Sequence, residues 1–94
     1  MKSTTKRITA YISGVVQGVG FRYFTRKVAR ETGVRGYVMN LPDGRVLIVA
    51  EGGEEQLEKF ISTVRHGPPH AIVKGIEISE SEASGEFDSF TIRY

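Results

Sequence analysis

Between Arg7 and Ser13 apolar and polar residues alternate, with Ile8, Ala10 and Ile12 set against Thr9, Tyr11 and Ser13. That period of two predicts a half-buried strand ending at Gly14. The next stretch, Gly14-Val15-Val16-Gln17-Gly18-Val19-Gly20, holds three glycines in seven residues and no period. It reads as a loop that needs unusual backbone angles or close backbone approach. Phe21, Phe24 and Val28 then recur at helical spacing among Arg22, Arg26, Lys27 and Arg30, and Gly33 stands where a terminator belongs. A helix is predicted over residues 22–32, with its bases mostly toward solvent.

Arg35 to Asn40 reads as a second strand and Arg45 to Glu51 as a third. Leu41-Pro42-Asp43-Gly44 between them is turn chemistry, since proline presets φ and glycine supplies positive φ. Gly53 is expected to cap a second helix: Glu54 and Glu55 suit its positive start, and Leu57, Phe60, Ile61 and Val64 share a face. Arg65-His66-Gly67-Pro68-Pro69 ends it. Ile72, Lys74, Ile76 and Ile78 alternate in a fourth strand, Ser79 to Glu86 is a polar connection, and Phe90, Ile92 and Tyr94 alternate in a short C-terminal strand.

This order predicts an α/β (α+β) fold in one domain over residues 1–94. It is a ferredoxin-like βαββαβ sandwich, an antiparallel sheet with both helices on one face plus the C-terminal strand. Phe21, Phe24 and Phe60 belong to its core, and residues 1–6 are expected to form a frayed polar N-terminus.

Composition narrows the function. With 94 residues there is no room for a second core, and a 39% hydrophobic, 26% charged chain is neither fibrous nor disordered. No cysteine is present, which excludes disulfides, thiolate metal sites and cysteine nucleophiles. The longest aliphatic run, Val46 to Ala50, is far below the roughly 20 residues a membrane helix needs, and Met1 to Arg7 leads into no secretory segment. A cytoplasmic protein with no membrane partner is expected. Net charge is only +2, too mild to demand nucleic acid. Yet residues 1–50 carry nine bases and two acids, whereas residues 51–94 carry four bases and nine acids. An anionic ligand is therefore sought in the first half.

Successive N–H groups near a helix start form an anion cradle, and Arg22 would add a planar fork suited to phosphate oxygens. Two generic motifs fail. Gly20 is followed by Phe21 and Arg22 where a Walker A loop has lysine, and Tyr23 stands where the dinucleotide pattern needs a third glycine. On spacing alone, Gly14, Gly18 and Gly20 could equally make nothing more than a tight turn. His66 and His70 are separated by Gly67-Pro68-Pro69, so no metal site is expected, and Glu54, Glu55 and Glu58 read as a solvated helix face.

Two segments carry a family resemblance. Ile12-Ser13-Gly14-Val15-Val16-Gln17-Gly18-Val19-Gly20-Phe21-Arg22, followed by Gly36-Tyr37-Val38-Met39-Asn40-Leu41-Pro42-Asp43-Gly44-Arg45-Val46 and then Gly52, resembles the two signature segments of acylphosphatases. The resemblance implies a phosphate cradle of Gln17, Gly18, Val19, Gly20, Phe21 and Arg22, with Arg22 as the phosphate-binding side chain and Asn40 positioning the attacking water. It further implies a hydrolase of acid anhydrides that cleaves small acyl phosphates to carboxylate and inorganic phosphate. Tyr37, Met39 and Leu47 stand where the family often has Trp, a basic residue and Glu, which bears on rate and substrate preference alone.

The chemistry of such a substrate suits these residues. Fixed N–H dipoles and a guanidinium stabilise charge spread over phosphoryl oxygens without a covalent intermediate. The carboxylate leaving group, whose conjugate acid has a pKa of about 4, departs without a general acid. A neutral amide such as that of Asn40 orients water and is no base. No cofactor or metal is required, and a monomer is expected. One rival is an RNA-binding module of the same element order, but Val46 to Ala50 lacks stacking aromatics and the first strand offers only Tyr11. Another is the acylphosphatase-like domain that begins hydrogenase-maturation proteins, which are longer and carry zinc-finger cysteines. A stand-alone enzyme without nucleic acid is the expectation.

Overall fold

The computed structural model describes residues 5–94. In chain order the elements are β1 (Thr5–Val15), α1 (Phe21–Thr32), β2 (Arg35–Asn40), β3 (Val46–Gly53), α2 (Glu54–Val64), β4 (Ile72–Glu82) and β5 (Phe90–Arg93). They build one five-stranded sheet in the order β4-β1-β3-β2-β5. Four strands pair antiparallel, as the element order requires, while β5 joins the edge parallel to β2, Gly36 opposite Phe90. That last orientation departs from an all-antiparallel sheet. The long connection from β4 crosses the sheet and brings the chain back in the direction of β2.

Alternation divides the sheet faces. Ile8, Ala10 and Ile12 of β1 and Val46, Ile48 and Ala50 of β3 are buried with Val28 and Ala29 of α1 and Leu57, Phe60 and Val64 of α2 in a single core. Both helices therefore cover one face, as the apolar positions predict. Phe60 is fully buried and meets Phe90 at a ring separation of 5.8 Å, which fastens the added strand beneath the helices. Helix α1 ends where Gly33 takes φ 83 and donates its N–H to Ala29 O. At the start of α2, Gln56 Oε1 accepts from the Gly53 N–H at 2.8 Å.

Three expected boundaries move. Thr5 and Lys6 are paired strand residues opposite Gly53 and Gly52, not part of a frayed terminus, and residues 1–4 lie outside the described residues. Strand β1 also runs past Gly14 to Val15, through a register shift at Ser13/Gly14. Strand β4 likewise extends into the polar connection as far as Glu82, opposite Lys6. Backbone pairing at an exposed edge needs no apolar alternation, so the hydrophobic pattern stops before the ladder does.

On the face away from the helices Glu51 is 6% exposed. Its carboxylate accepts from Arg7 Nε at 2.7 Å and from the N–H groups of Ser84 at 2.9 Å and Gly85 at 3.0 Å, tying the β4–β5 connection to the sheet. Burial alone would raise the carboxyl pKa, but the two amides and the guanidinium outweigh it and hold the group below its ordinary value. A depressed folded pKa means stability that is present above the ordinary glutamate value and lost as pH falls through the lowered one. Glu51→Gln should therefore cost about 2 kcal/mol at pH 7, and the difference from wild type should shrink toward zero near pH 3. Urea unfolding at the two pH values checks this; a pH-independent difference would contradict the ion-pair account.

Candidate active site

Strand direction gathers the candidate residues at one end of the sheet. β1 and β2 each run antiparallel to β3 between them and so point the same way, and β5 follows β2. The loop after β1, the turn after β2 and the residue after β5 consequently share the carboxyl edge. Ile12, Val46 and Asn40 form one row across β1, β3 and β2. Tyr94 comes one step after Arg93, the partner of Met39, which sets it beside that row.

The glycines of the first motif serve two purposes. Gly14 has φ 126, and a Cβ there would lie 2.1 Å from the carbonyl oxygen of Ile72, so this position is closed to any side chain by the β1–β4 crossing. Gly18 and Gly20, at φ 74 and 79, have nothing within 4 Å of the same imagined atom. They are needed for backbone conformation and leave the loop surface open. Buried Val16 and half-buried Val19 hold the loop against the core, and Phe21, 2% exposed, anchors the start of α1.

Gln17 joins the two motifs. Its Nε2 donates to Leu41 O at 2.8 Å and to Arg45 O at 2.9 Å, while Leu41 N–H donates to Arg45 O across the same turn. The side chain of Gln17 is thus occupied in clamping the turn that follows Asn40, and only its backbone remains to face a ligand. Sequence spacing places Gln17 in the loop but carries no sign of this clamp, because its partners are main-chain carbonyls 24 and 28 residues away.

Helix α1 opens without a side-chain cap and without an acidic residue in its first turn. Its leading N–H groups thus have no internal partner, and the helix dipole adds positive potential where they emerge. Arg22 lies in that turn, half-buried, with its guanidinium 4.8 Å from the ring centroid of Tyr94. No carboxylate of the described residues ion-pairs with it. The partnership with Tyr94 has no signal in the sequence beyond the alternation Phe90, Ile92, Tyr94. Nearby, Asp43 is held below its ordinary pKa by the N–H and guanidinium of Arg45, so that carboxylate is already neutralised within its own turn.

Asn40 closes β2 opposite Val46. Its Oδ1 is buried and accepts no hydrogen bond from the described residues. An orphaned buried acceptor costs about 1–3 kcal/mol, which native proteins tolerate chiefly where function requires it. The structure thus brings an uncapped helix start, an unpaired guanidinium and an unsatisfied amide oxygen to one edge, and those three residues include no nucleophile and no acid. A depression of about 590 Å³ between α2, β1 and β4 is lined by Ile8, Leu57, Ile61 and Ile78 and contains none of these residues. Among the described residues no helix is long and apolar enough to cross a membrane.

Known proteins of the same fold identify the family. A family model described as acylphosphatase matches residues 8–92. The chain is 58% identical over 84 residues to an acylphosphatase of Archaeoglobus fulgidus, covering 89% of this chain and 93% of that protein. Its fold superposes on the crystal structure of acylphosphatase from Bacillus subtilis with a TM-score of 0.92 at 39% identity, covering 95% and 99% of the two chains. It also matches HypF of T.kodakarensis with a TM-score of 0.83 and 39% identity, covering 95% of this chain but 12% of that one. With its motifs, its fold and its near full-length relatives in agreement, the chain belongs to the acylphosphatase family, hydrolases that act on an acid anhydride.

Proposed function

We propose that the protein hydrolyses the carboxyl–phosphate bond of small acyl phosphates by direct attack of water on phosphorus, with no covalent intermediate and no metal ion. The phosphoryl group rests on the backbone N–H groups of Gln17, Gly18, Val19, Gly20, Phe21 and Arg22. The Arg22 guanidinium shares the charge of its equatorial oxygens. Asn40 Oδ1 accepts a hydrogen bond from the attacking water and holds it in line with the departing carboxylate. The released proton passes to a phosphoryl oxygen, and the carboxylate leaves unprotonated.

The observation that carries this reading is the orphaned Asn40 oxygen, one residue before the turn that Gln17 clamps to the phosphate loop. A stack of preorganised donors around the phosphate removes the need for a nucleophilic side chain, and a good leaving group removes the need for an acid. The enzyme is taken to act as a monomer in the cytoplasm, without nucleic acid.

Hydrolysis of benzoyl phosphate in heavy-oxygen water with a chelator present tests the path. The label should appear in inorganic phosphate and not in benzoate, turnover should persist with the chelator, and acid quenching should trap no phosphorylated protein. Label in benzoate would mean attack at the carbonyl carbon and would overturn the proposal.

A further inference from the structure

Helix α1 carries Arg22, Arg26 and Arg30 at four-residue spacing, so the three bases follow one side of the helix at about 6 Å per step. None of them ion-pairs with a carboxylate of the described residues, although Lys27 on the same helix pairs with Glu31 at 3.2 Å. Like charges four apart destabilise a helix by about 0.2–0.5 kcal/mol per pair, so this row has a structural cost that no ion pair among the described residues offsets.

The row is organised by two exposed phenol rings. Arg22 lies over Tyr94 at 4.8 Å and Arg26 over Tyr23 at 5.3 Å. The rings are 86% and 56% exposed. The neighbouring Tyr23 phenol raises the Tyr94 pKa, while Arg22 and Arg26 act in the opposite sense. Two guanidiniums and two phenols thus form one connected cluster running from the head of α1 outward. It continues into a shallow depression lined by Tyr23, Arg26, Lys27, Arg30 and Glu31. Arg30 Nη2 also donates to Phe90 O at 3.4 Å, which leaves Arg22 and Arg26 as the bases of the row with no hydrogen-bond or ion-pair partner among the described residues.

Resting on the acyl phosphate reading above, we propose that Arg26, with Tyr23, Tyr94 and Arg30, forms a second anion subsite that selects acyl phosphates whose acyl group ends in another negative charge. The phosphoryl group at Arg22 and a carboxylate or phosphate one helical turn away would each meet an arginine, and the rings would border the carbon chain between them. Binding a second anion here neutralises a base that no carboxylate of the described residues neutralises. Arginine also suits the task by geometry, because its fork accepts either oxyanion in two parallel hydrogen bonds. Charge at this distance from the phosphorus is the feature by which the enzyme can tell substrates apart.

The test compares para-carboxybenzoyl phosphate with para-carbamoylbenzoyl phosphate, a neutral substrate of nearly the same shape, using benzoyl phosphate as reference. At low ionic strength the wild type should favour the carboxylated substrate by about tenfold in kcat/KM, expressed in KM, and added salt should erode the preference. Arg26→Gln should bring the ratio to about one, and Arg26→Glu should invert it. Equal rates for the two substrates in the wild type, or a ratio unmoved in Arg26→Gln, would overturn the subsite. Calorimetric binding of para-carboxybenzylphosphonate against benzylphosphonate reads the same preference without turnover. A protein inactive on benzoyl phosphate that still prefers the carboxylated phosphonate would therefore refute the hydrolytic reading and keep the subsite.

Discussion

Arg22→Ala is expected to lower kcat/KM for benzoyl phosphate by on the order of 10⁴-fold, a loss of about 5 kcal/mol in transition-state stabilisation. The size follows from what the side chain supplies. One neutral donor removed from an oxyanion site costs about 10²- to 10³-fold, and a guanidinium supplies two donors and a full charge. Nothing else is placed to replace it, since no other base of the described residues sits in the first turn of α1 and that turn has no side-chain cap. Both parameters should suffer: KM rises because the ground-state phosphate loses a partner, and kcat falls because the equatorial oxygens gain charge in the transition state. Arg22→Lys should recover only part of the loss, having the charge without the fork. The fold should survive either change, because the side chain is half-buried and its one described aromatic partner, Tyr94, is itself 86% exposed. An unchanged urea midpoint with retained activity in Arg22→Ala would remove the guanidinium from the mechanism.

Asn40→Ala separates binding from chemistry. It should cut kcat by about 10²- to 10³-fold while inhibition by inorganic phosphate stays within about threefold of wild type, since on the proposed path the amide meets water and not the phosphoryl group. The same substitution should leave stability equal or raise it by about 1 kcal/mol, because it deletes a buried oxygen that has no hydrogen-bond partner among the described residues. A structural asparagine would behave in the opposite way, losing stability and keeping turnover. Steady-state kinetics with urea unfolding on the one variant decides between them.

The elements were largely legible from residue order. Two helices with clean apolar faces, a Pro-Asp-Gly turn and the alternation in β1 and β3 are local patterns, and local patterns survive into the fold when packing agrees with them. Gly14, Gly18 and Gly20 were equally visible as a group. What spacing could not do was separate Gly14, crowded by the Ile72 carbonyl, from Gly18 and Gly20, which face open space. That difference depends on which strand lies alongside. Edge pairing was hidden for a related reason: the outer half of β4 is exposed on both sides, so its backbone ladder leaves no hydrophobic trace.

By itself the sequence determined that a βαββαβ order would form, and it named a loop ending in Arg22 and a strand ending in Asn40 as the places to look. These follow from composition, period and motif, all properties of neighbours along the chain. Tertiary structure alone decided that the two ends meet. The parallel course of β1, β2 and β5 brings Arg22, Asn40 and Tyr94 to one edge, the Gln17 amide locks the two motifs through carbonyls far away in sequence, and the buried Asn40 oxygen is left without a donor among the described residues. Satisfaction of a polar atom and proximity of charges are set by which surfaces pack together, and that is a property of the folded chain as a whole.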